Sequence, residues 1–295
     1  MILLSTFLEP RPPVRRVAVK RVFVPCRRPA LRAPTMIFTA GVIASILLAA
    51  IGAAAAATND LSDKEIQGRD LARQLLLIQQ PATNFTQTGV LRIRDGKGKR
   101  AEVPVRFQIS VTRSNWQADY ATQITGTNDD VNFSRTHFGW LMITHADDRP
   151  NVYKVPNVSR PPTETNEFFT LTGDQIMVSF AGSDFWMADL GLEFIHWPGQ
   201  KLLKKVVRSS RGCSVLESTN PDPATNGYSR VVSWIDSESL GPLHAEAYDA
   251  KGKLLKEYDT KKLKKVNGQW ELQEMEIRNV QTGSRTRLDF DLKKQ

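Results

Sequence analysis

Between Ala101 and Arg113 every second residue is apolar: Val103, Val105, Phe107, Ile109 and Val111. A period of two puts all five on one side of an extended chain and scatters them around a helix. This stretch therefore has to be a half-buried strand, and a strand needs partners. Phe85–Arg94 reads as one partner, joined to it by the turn Asp95-Gly96-Lys97-Gly98-Lys99. Trp116–Thr122, Trp140–His145 and Asn151–Val155 read as further strands. From Lys201 onward the pattern returns in Leu202–Arg208, Cys213–Ser218, Tyr228–Ile235, Leu243–Tyr248, Leu254–Val266, Trp270–Asn279 and Thr286–Leu292. Asp249-Ala250-Lys251-Gly252 and Val266-Asn267-Gly268 are hairpin signals between them.

Two stretches break the alternation. Ser62 and Glu65 stand at capping-box spacing, and Ile66, Leu71, Leu75, Leu76 and Ile78 follow mostly on one helical face before Pro81. A second helical stretch is expected between Thr172 and Phe194. Ten or so antiparallel strands with two helical segments predict a mainly β (α+β) fold, a curved sheet wrapped around helices.

The N-terminal part obeys a different logic. Ile37 to Ala57 holds no charge and no proline, and its apolar centre Val42–Leu48 decays into Gly52 and the run Ala53–Ala57. A basic stretch, a short apolar core and a small-residue exit make a cleavable secretory signal over residues 36–57. A spanning helix needs about 20 strongly apolar residues, more than this segment has. Residues 1–35 are a basic extension or a mis-assigned start, and residues 58–295 are expected to form a single domain. The absence of a cysteine after the alanine run speaks against a lipid-anchored product, so an exported, soluble protein is expected.

That leader distorts the charge. The chain carries 40 basic and 31 acidic residues, a net charge of +9, and a pI of about 9.6. Residues 1–57 account for eight of the basic and one of the acidic residues, which leaves 32 against 30. A nearly neutral domain gives no reason to expect a nucleic-acid partner. Cys26 belongs to the leader, so Cys213 is left without a disulfide partner.

Catalytic signals are weak. His137, His145, His196 and His244 lack the helical i,i+4 spacing of a metalloprotease. Asp129-Asp130 and Asp147-Asp148 are adjacent pairs, and adjacent carboxylates do not face one another across a bond as a glycosidase requires. Gly96-Lys97-Gly98-Lys99 lacks phosphate-loop spacing, and no G-x-S-x-G elbow occurs. No catalytic residue, metal or cofactor is expected. The run Lys261-Lys262-Leu263-Lys264-Lys265 reads either as a strand edge guarded by lysines or as a patch for an acidic partner or anionic headgroups.

The second half of the chain resembles a known family. Ala181-Gly182-Ser183-Asp184-Phe185 followed by Asp189-Leu190 is similar to the glycine-small-Asp-Phe…Asp-Leu motif of the outer-membrane lipoprotein-sorting family, with Trp186-Met187-Ala188 between the anchors. Arg211–Glu217 before Pro221, Tyr228–Asp236, Ala245–Asp249, Gly252-Lys253-Leu254 and Trp270 continue the likeness, which covers about Gly173 to Leu292. It implies a LolA/LolB-like fold, an incomplete antiparallel β-barrel closed by helices around an apolar cavity. It also implies a non-enzymatic periplasmic carrier of lipoprotein acyl chains or other apolar ligands, in transient contact with the membrane. A sensor that binds an envelope protein on the same scaffold is the alternative. The arginine that gates the family's cavity has no counterpart placed by motif. The candidate cavity residues are Phe107, Ile109, Trp140, Phe185, Trp186, Met187, Trp234 and Trp270.

Overall fold

The computed structural model describes residues 62–122, 139–146, 149–156, 168–223, 225–266 and 269–291. The leader, His137, Asp129-Asp130, Asp147-Asp148, the Asn267-Gly268 turn and Leu292 lie outside the described residues.

Helix α1 (Asp63–Gln79) opens the fold. Strands β1 (Phe85–Arg94), β2 (Arg100–Val111), β3 (Trp116–Thr122), β4 (Trp140–Ala146), β5 (Arg149–Pro156) and β6 (Phe168–Leu171) follow. After a crossing segment come β7 (Gly199–Arg208), β8 (Arg211–Thr219), β9 (Tyr228–Asp236), β10 (Pro242–Asp249), β11 (Leu254–Val266), β12 (Gln269–Asn279) and β13 (Arg285–Phe290). All thirteen join one antiparallel sheet in the order β6-β5-β4-β3-β2-β1-β13-β12-β11-β10-β9-β8-β7. Two meanders are thus sewn together where the first strand pairs with the last, from Gly89 opposite Phe290 to Arg94 opposite Arg285. The sheet is not closed, since β6 and β7 are its two edges.

The alternation does what its period demands. Val105, Phe107 and Ile109 are each 2 % exposed, and they share the inner face with Leu91, Tyr120, Ile143, Met275 and Leu288, all buried. The turn at Asp95 is closed by its own carboxylate, which accepts from the amides of Lys97 and Lys99. Asp249 does the same for Lys251 and Lys253, with Gly252 at φ +75°. Such Asx-type closures explain why these turns are legible in the sequence.

Three expectations are corrected. The buried face of α1 is Gly68, Ala72, Leu75 and Gln79, while Ile66 is 46 % exposed. The helix lies against edge strand β7 so closely that a Cβ on Gly68 would stand 2.5 Å from the Lys201 amide nitrogen, so small residues set the contact face. The second helical stretch is not one helix: it consists of 3₁₀ turns at Gly173–Ile176 and Glu193–His196 around the four-residue helix α2 (Met187–Leu190). Ala181 and Leu192 adopt left-handed φ of 51° and 50°, which stops any longer helix there. The lysine run is on neither edge strand. Strand β11 outruns β10, whose pairing stops at Asp259, so residues 261–266 pair with β12 alone, and Lys261, Lys262 and Lys265 stand exposed on that overhang.

Candidate apolar binding site

The segment from Thr172 to Pro198 crosses the inner face, and polar groups from six strands tie it down. Tyr120 of β3 donates to the Leu190 carbonyl at 3.1 Å. From β5, Asn151 donates to the Gly191 carbonyl at 2.8 Å and Tyr153 to the Glu193 carboxylate at 2.9 Å. Gln200 of β7 donates to the carbonyls of Phe194 and Trp197, each at 2.9 Å. Tyr228 of β9 donates to Asp189 Oδ1 at 2.9 Å. Lys256 of β11 donates to the Asp184 carbonyl at 2.7 Å and to Asp189 Oδ2 at 3.3 Å. Thr286 of β13 donates to the Asp184 carboxylate at 2.8 Å, and Ser284, just before that strand, also donates to it. Gly191 allows the approach to β5, because a Cβ there would collide with the Tyr153 hydroxyl.

These contacts give each motif residue a structural task. Ala181 and Gly182 turn the chain through left-handed φ values of 51° and 67°. The Ser183 hydroxyl locks that turn by donating to the Phe180 carbonyl at 2.7 Å. Asp184 anchors on β13, and Phe185 is buried. Asp189 caps α2 by accepting from the Trp186 amide at 2.8 Å and also receives Tyr228 and Lys256.

Lys256 is the central oddity, a lysine only 2 % exposed. Its ammonium sits 3.6 Å from the centroid of the Trp186 ring, which itself stacks on Tyr228 at 4.6 Å. Burial pulls the lysine down to about 8, and Asp189 and Asp184 hold it against a larger fall. Burial pushes the Asp184 carboxyl up against the hydrogen bonds from Ser284 and Thr286. The Tyr228 phenol rises well above its usual value through burial and the neighbouring Asp189 charge. The ammonium is engaged by a carbonyl, a carboxylate and an indole face, so the arrangement is a charge-assisted clasp.

Beside the clasp lies an apolar cavity of about 40 Å³. Phe185, Asp189, Leu192 and Phe194 line it from the crossing segment, and Tyr228, Val231, Ala245, Ala247, Lys256, Tyr258 and Ile277 from the sheet. The space exists because β10 presents two alanines inward where larger side chains would reach the segment. Its volume is about that of one water molecule.

The structure distributes the sequence candidates over several places. Phe185 lines the cavity, Trp186 roofs Lys256, and Met187 is fully buried in α2 beside them. Phe107 and Ile109 sit in the inner-face core of β2, with Phe107 edge-on to Tyr120 at 5.3 Å. Half-buried Trp140 packs against Phe168 at 5.3 Å. Trp234 is paired opposite His244 on the face away from Ala245 and Ala247, and Arg208 lies 5.4 Å from its ring. Half-buried Trp270 donates to Glu238 at 3.1 Å beneath Arg211. Sequence reasoning missed Tyr228, Lys256, Ala245 and Ala247. A signal for Lys256 was present, because it shares the period-two parity of Tyr258.

His145 is buried and stacked on Trp116 at 3.8 Å. Burial first, then His196, pulls its imidazole down to about 3. Among the described residues no group of three His, Cys, Asp or Glu is placed to hold a metal ion, and no helix is long and apolar enough to cross a membrane.

An open antiparallel sheet with a clasped segment across its inner face defines a class of structure, and it is the LolA-like open β-barrel. Solved structures agree on the fold. A DUF1329 family protein from Desulfovibrio piger superimposes with a TM-score of 0.60 at 20% identity, covering 78% of this chain and 92% of that one. A Vibrio parahaemolyticus domain, proposed as an outer membrane lipoprotein-sorting protein domain, gives 0.61 at 18% identity over 77% and 92%. A LolA superfamily protein from Nitrosomonas europaea gives 0.51 at 15% identity over 78% and 93%. A family model described as "Uncharacterized protein" matches residues 163–293. No curated protein matches the sequence significantly.

Proposed function

We propose that this protein is an exported, non-catalytic binding protein that carries acylated or other apolar ligands, lipoprotein acyl chains foremost, across the periplasm. The observation that carries this reading is the apolar cavity between the crossing segment and strands β9 to β12. Exposing an acyl chain to water costs about 0.8 kcal/mol per methylene, and an apolar inner face removes that cost without any covalent step. The cavity of about 40 Å³ is smaller than any acyl chain. Ligand entry therefore requires the segment between Thr172 and Pro198 to lift, and the Lys256–Asp189–Tyr228 clasp is the latch that has to yield. The secretory leader read from residues 36–57 supplies the compartment, and the LolA-like fold supplies the scaffold.

Mass spectrometry of the protein purified from its own cell envelope tests this. Co-purified lipid or lipoprotein, lost on Ala247→Phe, is the expected result. A protein that emerges free of lipid and takes up no fluorescent fatty acid would sink the carrier reading. Retention of a protein partner after complete delipidation would instead favour a sensor on the same scaffold.

A further inference from the structure

The outer face of the sheet carries a second feature, unconnected with the apolar cavity. Arg100 of β2 stands opposite Arg94 of β1, Arg94 opposite Arg285 of β13, and Arg285 opposite Arg278 of β12. Directly paired residues in an antiparallel sheet point to one face, with Cβ atoms about 4.5–5.5 Å apart. Four guanidinium groups therefore stand in a single row across four strands.

The neighbouring rows are built differently. Two residues along, Glu102, Arg92, Arg287 and Glu276 form the next row, with Arg92–Glu102 at 2.6 Å and Arg287–Glu276 at 3.1 Å. The row beyond supplies Asp289 to Arg92 at 2.6 Å and Glu274 to Arg287 at 3.1 Å. In the arginine row only Arg278 meets an acid, Glu257 of β11. Among the described residues Arg94, Arg100 and Arg285 have no ion-pair partner.

Like charges directly opposite one another destabilise a sheet. This sheet supplies acids to Arg92, Arg287, Arg278 and Arg230 and withholds them from three arginines that stand side by side. All four side chains are arginine, whose planar fork binds oxyanions bidentately where lysine offers a point charge. A groove of about 270 Å³ runs over the row, lined by Arg94, Arg100 and Arg285 with Arg92, Arg287 and their paired Glu102 and Glu276. That is room for a phosphate group and part of whatever carries it.

We propose that Arg94, Arg100 and Arg285 form a binding site for a phosphate group on the outer face of the sheet. The site sits on the opposite face from the apolar cavity and does not depend on the carrier reading. Two probes separate the sources of the phosphate. One is pyrophosphate titrated into the purified protein and followed by calorimetry. The other is co-sedimentation with phosphatidylcholine vesicles with or without phosphatidic acid.

Wild-type protein is expected to bind at least one probe, and R94Q/R285Q to bind it about tenfold more weakly or worse. Arg230→Gln, which removes an outward arginine already paired with Glu217, is expected to leave binding unchanged. Vesicle binding alone assigns the phosphate to a lipid headgroup, and pyrophosphate binding alone to a soluble ligand. Failure to bind either probe overturns the proposal, as does equal binding by R94Q/R285Q. A poly-glutamate peptide that binds as tightly, with the same arginine dependence, replaces phosphate with an acidic protein segment. Without ligand, R94Q/R285Q should melt no lower than wild type, because it removes like-charge opposition. A lower melting temperature would make the row structural and overturn the assignment.

Discussion

The two faces of this sheet use charge in opposite ways. On the inner face charges are few, largely buried and held by fixed partners: Lys256 by Asp189, and the Asp184 carboxylate by Ser284 and Thr286. On the outer face they are many, exposed and shared, as Arg287 is between Glu274 and Glu276 and Lys261 between Asp259 and Glu276. A buried pair is worth little net, yet removing one member leaves the other charge without solvent or partner. An exposed pair loses little on removal, because water replaces the partner. The inner charges thus fix where one segment lies, whereas the outer charges set what the surface attracts.

The largest expected effect breaks that contrast at its inner end. Lys256→Met should cost about 3–5 kcal/mol, read as a fall in the urea midpoint, because Asp189 is left buried beside Tyr228. Adding Asp189→Leu should recover part of the loss. If K256M alone is as stable as wild type, the clasp does not hold the segment.

Next comes the cavity wall. Ala247→Leu inserts more carbon than a 40 Å³ space accepts, and overpacking of this kind costs about 1–3 kcal/mol. The same variant should lose uptake of a fluorescent fatty acid. Unchanged uptake would place the ligand away from strands β9 to β12.

A smaller effect follows from acid. His145 is held near 3 by burial, below the value of about 6.5 it has in the unfolded chain. Its folded value is the depressed one, so the unfolded state binds more protons below pH 6.5. Stability attributable to this residue is complete above that pH and falls as the pH drops toward 3. By pH 5.5 the loss is about 1.4 kcal/mol, and His145→Phe, which keeps the stack on Trp116, should flatten that part of the pH–stability curve. A wild-type curve as flat as the variant's would show that His145 is not buried neutral.

What the sequence made legible follows the same division. Period-two alternation identified β1, β2 and most later strands, because strand burial depends only on parity. It missed β6, whose Phe168–Leu171 is four residues long and has no buried position. The motif from Ala181 to Leu190 drew attention to the right segment, but not to its partners. Lys256, Tyr228 and Thr286 lie between 39 and 102 positions from the residues they bind and meet them only through the register of strands β9 to β13. The aromatic candidates divided by place: Phe185 and Trp186 belong to the segment, Trp234 faces outward in step with His244, and Trp270 pairs with Lys265 on the β11 overhang. The arginine row was unreadable for the same reason, since the hairpin pairs Arg94–Arg100 and Arg278–Arg285 become one row only once β1 pairs with β13.

The smallest effect tests the outer end of the comparison. Arg287 meets Glu274 at 3.1 Å and is 42 % exposed, so a double-mutant cycle with Arg287→Gln and Glu274→Gln should give a coupling of about 0.2–1 kcal/mol. That coupling should shrink further as salt rises to 1 M, where the screening length falls to about 3 Å. The Lys256–Asp189 coupling, shielded from ions by Trp186 and Tyr228, should change far less over the same range. If both couplings decline together, the clasp is reached by solvent and the segment is already open. If neither declines, the outer rows are a rigid network that itself holds the sheet, and the arginine row beside them owes its register to that network.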